Sequence, residues 1–340
     1  MPSEMINTPE AICSYPSKEC FISVNANNDI VKTLRDDIPI NERVTFQMER
    51  QFQENCTEEQ AKHVPKVKSF LAPNSYIMEY IPYNTLLHEA YLGTLKEEDL
   101  LLAIDVYHTV FAQYELDSSI EFCSKAKIKA LKHLYNATTE QLYKCYMKWS
   151  LQQIISACDT GIITPSLISK LNSIIDEGVT SLRTEFNQRL KDSIVETSKN
   201  GYLIDHSKMP QNLLYRYTQK GHNDFHLGNI IVTPDKHVYF LDTASGIQLS
   251  IPWSLTFDTY YDMLHLYGDL SYRVPWMISG FSDKYLESVK NLFQNKYHYR
   301  LDILAKLSIV DSVSRVCLHV SDDEAKSYFK FLISIAKELI

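Results

Sequence analysis

This chain contains few glycines and no long apolar run. The first feature argues against long flexible linkers, and the second argues against a membrane-spanning helix. Nine glycines in 340 residues leave little room for long flexible linkers. No apolar run approaches the roughly eighteen residues that a membrane-spanning helix needs, so we expect no membrane span. The first residues lack a basic region followed by an apolar segment, and we therefore expect no signal peptide.

Cysteine motifs and positive charge are also limited. The seven cysteines form no CxxC motif and no cluster with histidine, which favours structural thiols in a reducing, cytoplasmic compartment. The net charge of −8 argues against a nucleic-acid partner, because binding a phosphate backbone needs a positive surface. An acidic balance suits a cationic small molecule. With 45% hydrophobic and 22% charged residues, the chain can bury one large bilobal core or two smaller ones; its oligomeric state stays open.

What the sequence does contain is a short hairpin pattern between Asn229 and Asp242. Residues 230–232 predict an apolar strand, Thr233-Pro234-Asp235-Lys236 predicts a tight turn with proline at its second position, and residues 238–241 predict the returning strand. We expect this hairpin to bring Asn229 and Asp242 side by side at its open end.

Upstream of the hairpin, Asp224 precedes Asn229 by five residues, so one loop can present a carboxylate and an amide together. A carboxylate base, with an amide and a second carboxylate for magnesium, is the minimal equipment for phosphoryl transfer. The run His222-Asn223-Asp224, with Asn229 and the strand ending in Asp242, resembles the catalytic core of the aminoglycoside phosphotransferase and choline kinase superfamily. A plainer interpretation treats Asp224 and Asn229 as turn formers, but it does not explain why the second carboxylate, Asp242, falls at the end of the returning strand.

The resemblance implies an α+β, bilobal protein-kinase-like fold. Residues 1–81 would form a small nucleotide-binding lobe, made of an antiparallel sheet plus one helix. Residues 82–340 would form a large, mainly helical C-terminal lobe that carries the catalytic hairpin, a helical insert and the acceptor site. In that lobe, Thr164-Pro165 predicts the start of a long helix that stops near Asn200.

A kinase of this fold also needs a strand lysine for the nucleotide phosphates and a helix glutamate to hold that lysine. Residues 29–34 predict a strand that places Ile30 and Lys32 on one face. Residues 41–54 predict a helix with Glu49 on the edge of its apolar stripe. By resemblance, Lys32 binds the phosphates, Glu49 holds Lys32, and Ile30 covers the adenine. Taken singly, the lysine and the glutamate are more simply solvated side chains.

The segment Ser75–Ile81 predicts a strand leading into a linker, and it is similar to the hinge of the family. By position, the Glu79 carbonyl and the Ile81 amide would hydrogen-bond adenine, with Met78 behind the base. Backbone groups do this work in the family, so side-chain identity is a weak guide.

Two further parts of the pattern depart from the family. Ser14 and Ser17 lie in the nearest match to the phosphate-covering loop, which here has no glycine. Asp262 resembles the aspartate that braces the catalytic loop, with Asp258 as a competitor, and His222 would support the same loop from beneath. Aromatic side chains near Asp262 are either core residues or a cation-binding wall: Tyr260, Tyr267, Tyr272 and Trp276.

The resemblance implies transfer of the ATP γ-phosphoryl group to a hydroxyl of a small-molecule acceptor, with ATP and Mg²⁺ as cofactors. Asp224 would accept the hydroxyl proton, while Asn229 and Asp242 would hold Mg²⁺. Asn223 is similar to choline and ethanolamine kinases, whereas residues 225–229 are more similar to antibiotic kinases. The acceptor is therefore expected to be amine-bearing, either an aminoglycoside-like antibiotic or an amino alcohol such as choline. An atypical protein kinase and a nucleotide-binding pseudokinase stay open as alternatives.

Overall fold

The computed structural model describes most of the chain, as two compact units. The described residues are 20–35, 44–72, 74–111, 120–139, 148, 151–152, 164–197, 201–208, 221–222, 224–243, 259–316 and 323–339. The first unit comprises residues 1–111 and 222–247, and the second comprises residues 112–221 and 248–340.

The first unit begins with a four-stranded antiparallel sheet in the order β1-β2-β4-β3. Its strands are β1 (Cys20–Val24), β2 (Ile30–Leu34), β3 (Val67–Ala72) and β4 (Ser75–Met78). In β2 every second residue is buried, which matches the period-2 alternation of a strand with one covered face. Between β1 and β2, the Asn25 side chain accepts the backbone N–H groups of Asn27 and Asp29, so an asparagine turn closes the hairpin.

The α-helices in the described part of the first unit are α1 (Val44–Asn55), α2 (Glu58–Lys62), α3 (Leu86–Leu92) and α4 (Glu97–Val110). Helix α1 covers most of the predicted 41–54 segment, and residues 41–43 lie outside the described part of the chain. Thr57 and Gln60 form a capping box that starts α2, and Thr85 caps α3 by accepting the His88 N–H. Left-handed Gly93 ends α3.

The predicted hairpin is confirmed. Strands β8 (Ile230–Val232) and β9 (Val238–Phe240) pair antiparallel, with Ile230 opposite Phe240. The Lys236 N–H donates to the Thr233 carbonyl at 2.8 Å, closing the turn at the predicted residues. Lys236 has a φ of +68°, and its ammonium bonds to Asp99 and Glu98 at the start of α4. The hairpin turn is thereby tied to a helix of the same unit.

Further contacts explain why residues 82–111 and 222–247 belong to the same unit as the sheet. His63 and His237 stack with ring centroids 4.9 Å apart, and the Phe240 N–H donates to the His63 carbonyl at 2.8 Å. Thr85 forms a bridge to Ile231. This compact unit therefore extends beyond residue 81, the proposed lobe boundary, because the hairpin and helices α3 and α4 bond to the preceding elements.

The second unit contains a sheet that the helical interpretation of the insert missed. Strands β5 (Ile120–Ser124), β6 (Ile194–Thr197) and β7 (Gly201–Asp205) pair antiparallel in the order β5-β7-β6. The helix that Thr164 caps, α6 (Pro165–Ser193), starts where predicted but ends before the expected stop near Asn200. The reason is that Ile194 to Thr197 pair with β7, which supplies backbone partners that a longer helix would lose.

The remaining described elements of the second unit are helical. They are α5 (Lys125–Thr139), α7 (Thr259–Gly268), α8 (Val274–Met277), α9 (Lys284–Asn295), α10 (Leu301–Val316) and α11 (Asp323–Leu339), with a π-helical segment, Asp269–Arg273, between α7 and α8. Helix α10 packs against α6, α7 and α11. At Gly268 a Cβ atom would lie 2.8 Å from the Ser312 hydroxyl, so glycine permits the close approach of α7 to α10.

A small antiparallel sheet followed by a mostly helical region is the predicted order of elements, and it is confirmed. Among the described residues, no helix combines the length and hydropathy needed to cross a bilayer.

Candidate active site

The polar cluster of the first unit begins with a buried ion pair between sheet and helix. Lys32 on β2 and Glu49 on α1 are each 5% exposed, and Lys32 Nζ lies 2.5 Å from Glu49 Oε2. Tyr76, the cross-strand neighbour of Lys32, donates its hydroxyl to the same Glu49 oxygen at 3.0 Å. Burial of these charges without partners would be costly, and the contacts supply the partners.

A second carboxylate approaches the same lysine. Asp242 follows β9, and its Oδ1 lies 3.1 Å from Lys32 Nζ. Its backbone has a φ of +52°, a conformation that aspartate and asparagine tolerate better than most residues. The Asp242 side chain is 47% exposed, in contrast to the buried Lys32. The exposed carboxylate is therefore available to a ligand, while the lysine is held from behind.

The Lys32 ammonium contacts both Glu49 and Asp242. Burial and the charges of these groups shift the pKa values of Lys32 and Glu49. Burial raises the pKa of Glu49 to about 7, although Lys32 opposes the rise, and the Asp242 charge adds to it. For Lys32, burial by itself lowers the pKa, but the charges of Asp242 and Glu49 outweigh burial and raise it well above its ordinary value. The lysine is therefore cationic at neutral pH.

The loop before the hairpin brings Asp224 to Asn229. Asn229 Nδ2 donates to Asp224 Oδ2 at 2.9 Å and to the Asp224 carbonyl at 3.0 Å. Asn229 ends a 3₁₀ turn, Leu227–Asn229, and its own carbonyl accepts the Leu241 N–H at 2.8 Å. Because the amide nitrogen of Asn229 faces Asp224, its Oδ1 is the atom left for a cation. Hydrogen bonds therefore connect Asp224 to Asn229, and Asn229 to Leu241, the residue before Asp242.

His222 lies beneath this loop and is fully buried. Its Nδ1 accepts the Asp224 N–H at 3.3 Å, and its ring packs edge-on against Phe111, Phe225 and Phe240. Burial lowers the pKa of His222 from 6.5 to about 4, which outweighs the opposite effect of the Asp224 charge. The imidazole is neutral at physiological pH, so it supports the loop without adding charge.

The lowered pKa of His222 predicts an acid-dependent loss of stability. A buried neutral histidine stabilises the fold fully above its unfolded pKa, near 6.5, and that contribution is lost as the pH falls toward about 4. Between pH 7 and pH 5 the free energy of unfolding should fall by about 2 kcal/mol more in the wild type than in His222→Gln. Urea unfolding at the two pH values measures this difference.

The exposed His133 on α5 provides the control for removing one histidine, as His133→Gln. The raised pKa of Glu49 has the opposite sign, since its contribution is lost as the pH rises, but it is present in every variant and cancels in the comparison. Equal acid sensitivity of the wild type and His222→Gln would contradict a buried neutral imidazole.

The residues predicted to surround adenine lie close together on the sheet. Ile30 is buried and stands opposite Met78 in the β2–β4 ladder. The Glu79 N–H donates to the Lys66 carbonyl at 2.9 Å, whereas the Lys66 N–H donates to the Glu79 side chain at 2.7 Å. In a regular antiparallel pair the Lys66 N–H would donate to the main-chain carbonyl of Glu79. Here it donates to the Glu79 carboxylate instead. Ile81 is buried, and its carbonyl accepts the Tyr83 N–H.

Other predicted residues lie elsewhere. Ser14, Ser17, Asn223 and Asp258 are outside the described residues. Asp262 is buried on α7 in the second unit, and its bracing role stays a prediction. The aromatic side chains near Asp262 are mainly packing residues: the Tyr260 and Tyr272 hydroxyls donate to the carbonyls of Arg300 and Ala305, Tyr267 is buried, and Trp276 packs on Tyr328.

Sequence reasoning missed two residues of the cluster. The sequence pattern places Tyr76 in the strand leading to the hinge, and only the strand register puts it opposite Lys32. His226 falls within the 225–229 segment that resembles antibiotic kinases, and its Nε2 lies 3.4 Å from Asp224 Oδ2. The i to i+2 spacing is the signal that relates His226 to Asp224.

Comparison with known proteins gives no match to any family model and no match to a curated protein. Among solved structures, the gentamicin complex of APH(2")-IIa is 14% identical with a TM-score of 0.42, covering 94% of this chain and 88% of that one. The streptomycin–ATP complex of APH(2")-IIa is 14% identical with a TM-score of 0.43, covering 94% and 92%. ADP-bound aminoglycoside phosphotransferase APH(2'')-Ib is 15% identical with a TM-score of 0.42, covering 94% and 90%. These likenesses are too distant to assign a function.

Proposed function

We propose that this protein is an ATP-dependent phosphotransferase that moves the γ-phosphoryl group to a hydroxyl of a small molecule. The observation that carries the proposal is the joint presence, in one compact unit, of a buried lysine–glutamate pair, an exposed carboxylate beside that lysine, and an aspartate–asparagine loop. Phosphoryl transfer requires positioning and charge stabilisation more than covalent chemistry, and these groups supply both.

Lys32 is the residue proposed to bind the nucleotide phosphates. Its charge is maintained by two carboxylates, and Glu49 fixes its position from the buried side. A lysine held in this way offers its ammonium as a fixed positive charge, which lowers the cost of bringing phosphate oxygens into the site. The backbone of Glu79 and Ile81, with Ile30 and Met78, is proposed to bind adenine.

The donor set also fits magnesium. Asp242 and Asn229 offer hard oxygen atoms, and Mg²⁺ is commonly held by one or two protein groups together with substrate phosphates and water. Among the described residues, no group of three or more histidine, cysteine, aspartate or glutamate side chains forms a complete cage. A metal held with the nucleotide is therefore the fitting arrangement. When bound, Mg²⁺ would neutralise charge on the phosphate oxygens.

Asp224 is proposed as the base that orients the acceptor hydroxyl and takes its proton. Its side chain is 43% exposed, and Asn229 holds one carboxylate oxygen in place. An exposed carboxylate with a fixed orientation can meet a hydroxyl from solvent at hydrogen-bond distance. Asp262 remains a proposed support for this loop, and Ser14 and Ser17 remain proposed contacts to the phosphates.

The acceptor is proposed to be amine-bearing, such as an aminoglycoside-like antibiotic or an amino alcohol. The net charge of −8 and the His222-Asn223-Asp224 triplet support this choice. The buried tyrosines of the second unit do not, because their hydroxyls bond within the core. The acceptor therefore has to be found by assay.

An ATP-consumption screen tests the function. The compounds are amino alcohols, aminoglycosides, nucleosides and neutral sugars, with a protein substrate as control, and the phosphorylated product is identified by mass. Phosphorylation of an amine-bearing hydroxyl compound is expected, with an acceptor KM that rises with ionic strength because exposed charges are screened. Phosphorylation of neutral sugars alone would contradict the amine-bearing acceptor but would still support the phosphotransferase activity. Phosphorylation of the protein substrate alone would reject the small-molecule acceptor.

Asp242→Asn separates metal binding from folding. Asparagine keeps the size of the side chain and tolerates the left-handed backbone at this position, but it removes the anionic ligand. Magnesium-dependent ATP affinity should fall at least about tenfold. The Tm without nucleotide should change little, because the Asp242 side chain is 47% exposed and its ion pair is partly screened. Calorimetric titration and thermal unfolding measure the two effects.

The matched control is Asp235→Asn, which alters an exposed aspartate at the turn of the same hairpin. It should leave ATP affinity unchanged. If instead Asp242→Asn lowers the Tm steeply while the folded fraction binds ATP normally, then Asp242 is a structural residue.

A further inference from the structure

His226 lies two residues after Asp224 and caps the 3₁₀ turn that ends in Asn229. Its backbone is extended, and its Nδ1 accepts the Gly228 N–H at 3.0 Å. Its carbonyl accepts the Asn229 N–H at 2.9 Å. One residue thereby orders the short turn that positions Asn229.

The Gly228 contact determines where the proton of the neutral ring resides. A ring nitrogen that accepts a hydrogen bond carries no proton, so Nδ1 is unprotonated and the neutral imidazole bears its proton on Nε2. Nε2 lies 3.4 Å from Asp224 Oδ2. The same Asp224 oxygen accepts from Asn229 Nδ2 at 2.9 Å. Two N–H groups from opposite ends of one turn therefore face one carboxylate oxygen.

Gly228 makes this ring position possible. A Cβ atom at residue 228 would lie 2.8 Å from His226 Cε1 and 3.0 Å from Nδ1. Both distances are shorter than normal contacts between non-bonded atoms. A side chain at residue 228 would require the imidazole or the turn to shift, so glycine here is explained by the close approach of the ring.

We propose that His226 is a positioning residue for Asp224. Its Nε2–H, with Asn229 Nδ2, holds the Asp224 carboxylate in one orientation toward the acceptor hydroxyl. The proposal rests on the proposed phosphotransferase function, in which Asp224 is the base. Small displacements of a reacting group are costly: a misplacement of about 1 Å can lower a rate about a hundredfold.

Two substitutions separate the capping role of His226 from its positioning role. Asparagine places a carbonyl oxygen near the position of Nδ1, so His226→Asn keeps the acceptor for the Gly228 N–H but has no group at the position of Nε2. Glutamine places an amide nitrogen near the position of Nε2, so His226→Gln keeps a donor for Asp224 but loses the cap.

For His226→Asn we expect an unchanged Tm, unchanged Mg²⁺–ATP affinity and acceptor KM, and a kcat lowered on the order of tenfold. For His226→Gln we expect a lower Tm and a kcat closer to that of the wild type. A purely structural cap predicts the reverse order, with wild-type kcat in His226→Asn. That result would overturn the proposal.

A spectroscopic test needs no acceptor, and it distinguishes failure of the contact from failure of the function. Two-bond ¹H–¹⁵N spectra of histidine-labelled protein report which ring nitrogen carries the proton, and His226→Asn identifies the signal by its loss. We expect the Nε2–H form, with a ¹⁵N shift that changes in Asp224→Asn. The Nδ1–H form, or a signal indifferent to Asp224, would overturn the positioning contact even if the protein is a kinase. The expected signal with no phosphorylated compound in the screen would instead place the failure in the proposed function.

Discussion

Asp224→Ala should lower turnover by at least about a hundredfold while leaving Mg²⁺–ATP affinity nearly unchanged. The reason is that a general base acts on the transition state, whereas the proposed nucleotide contacts belong to other residues. Asp224 is partly exposed and precedes the turn that ends in Asn229. Its replacement by alanine removes the base, whereas Asn229 keeps its hydrogen bond to the main-chain carbonyl of residue 224 and Asp242 is unaltered. Steady-state kinetics with the acceptor found by the screen, together with calorimetric ATP titration, measure both quantities.

Asp235→Ala is the matched control, because it removes an exposed aspartate from the adjoining hairpin turn. It should retain wild-type turnover. Near wild-type turnover in Asp224→Ala would remove Asp224 from the mechanism, and a loss of ATP affinity as large as the loss of turnover would assign it to nucleotide binding.

Breaking the Lys32–Glu49 pair should have the largest effect on stability. Both side chains are buried. Lys32→Met leaves the Glu49 carboxylate buried without its cation and should cost about 3–5 kcal/mol in the free energy of unfolding. Glu49→Leu leaves the buried Lys32 to the partly exposed Asp242 and should cost an amount toward the lower end of that range. The double variant replaces the pair by apolar groups of similar volume and should recover most of that loss. It should still fail to bind Mg²⁺–ATP, because no ammonium faces the phosphates.

The exposed pair Lys62–Glu59 on α2 provides the matched control, since its side chains are 55% and 44% exposed. Lys62→Met and Glu59→Gln should each cost less than about 1 kcal/mol. Urea unfolding gives the stabilities, and calorimetry gives the nucleotide affinity. If the losses in unfolding free energy of Lys32→Met and Glu49→Leu add up in the double variant, the two side chains do not stabilise the fold as a pair. If the double variant binds ATP as tightly as the wild type, Lys32 does not bind the nucleotide phosphates.

Local features of the site and of the helices were predictable from the residues alone. The hairpin between Asn229 and Asp242 follows from two short apolar runs around a proline-containing turn, and its two strands pair as predicted. Lys32 faces the same side of β2 as Ile30 because side chains alternate along a strand. The start of α6 follows from Thr164 and Pro165. Each of these depends on interactions between residues a few positions apart, which a linear pattern records.

The tertiary structure decided what depends on distant partners. Lys32 meets Asp242 across 210 positions, and no periodicity in the sequence relates the two. The end of α6 at Ser193 depends on strand pairing with β7, which offers residues 194–197 backbone partners outside the helix. The Tyr76 hydroxyl reaches Glu49 only when sheet and helix pack together. The proton position on His226 depends on whether its Nδ1 meets the Gly228 N–H, because hydrogen bonding in the folded loop selects the tautomer.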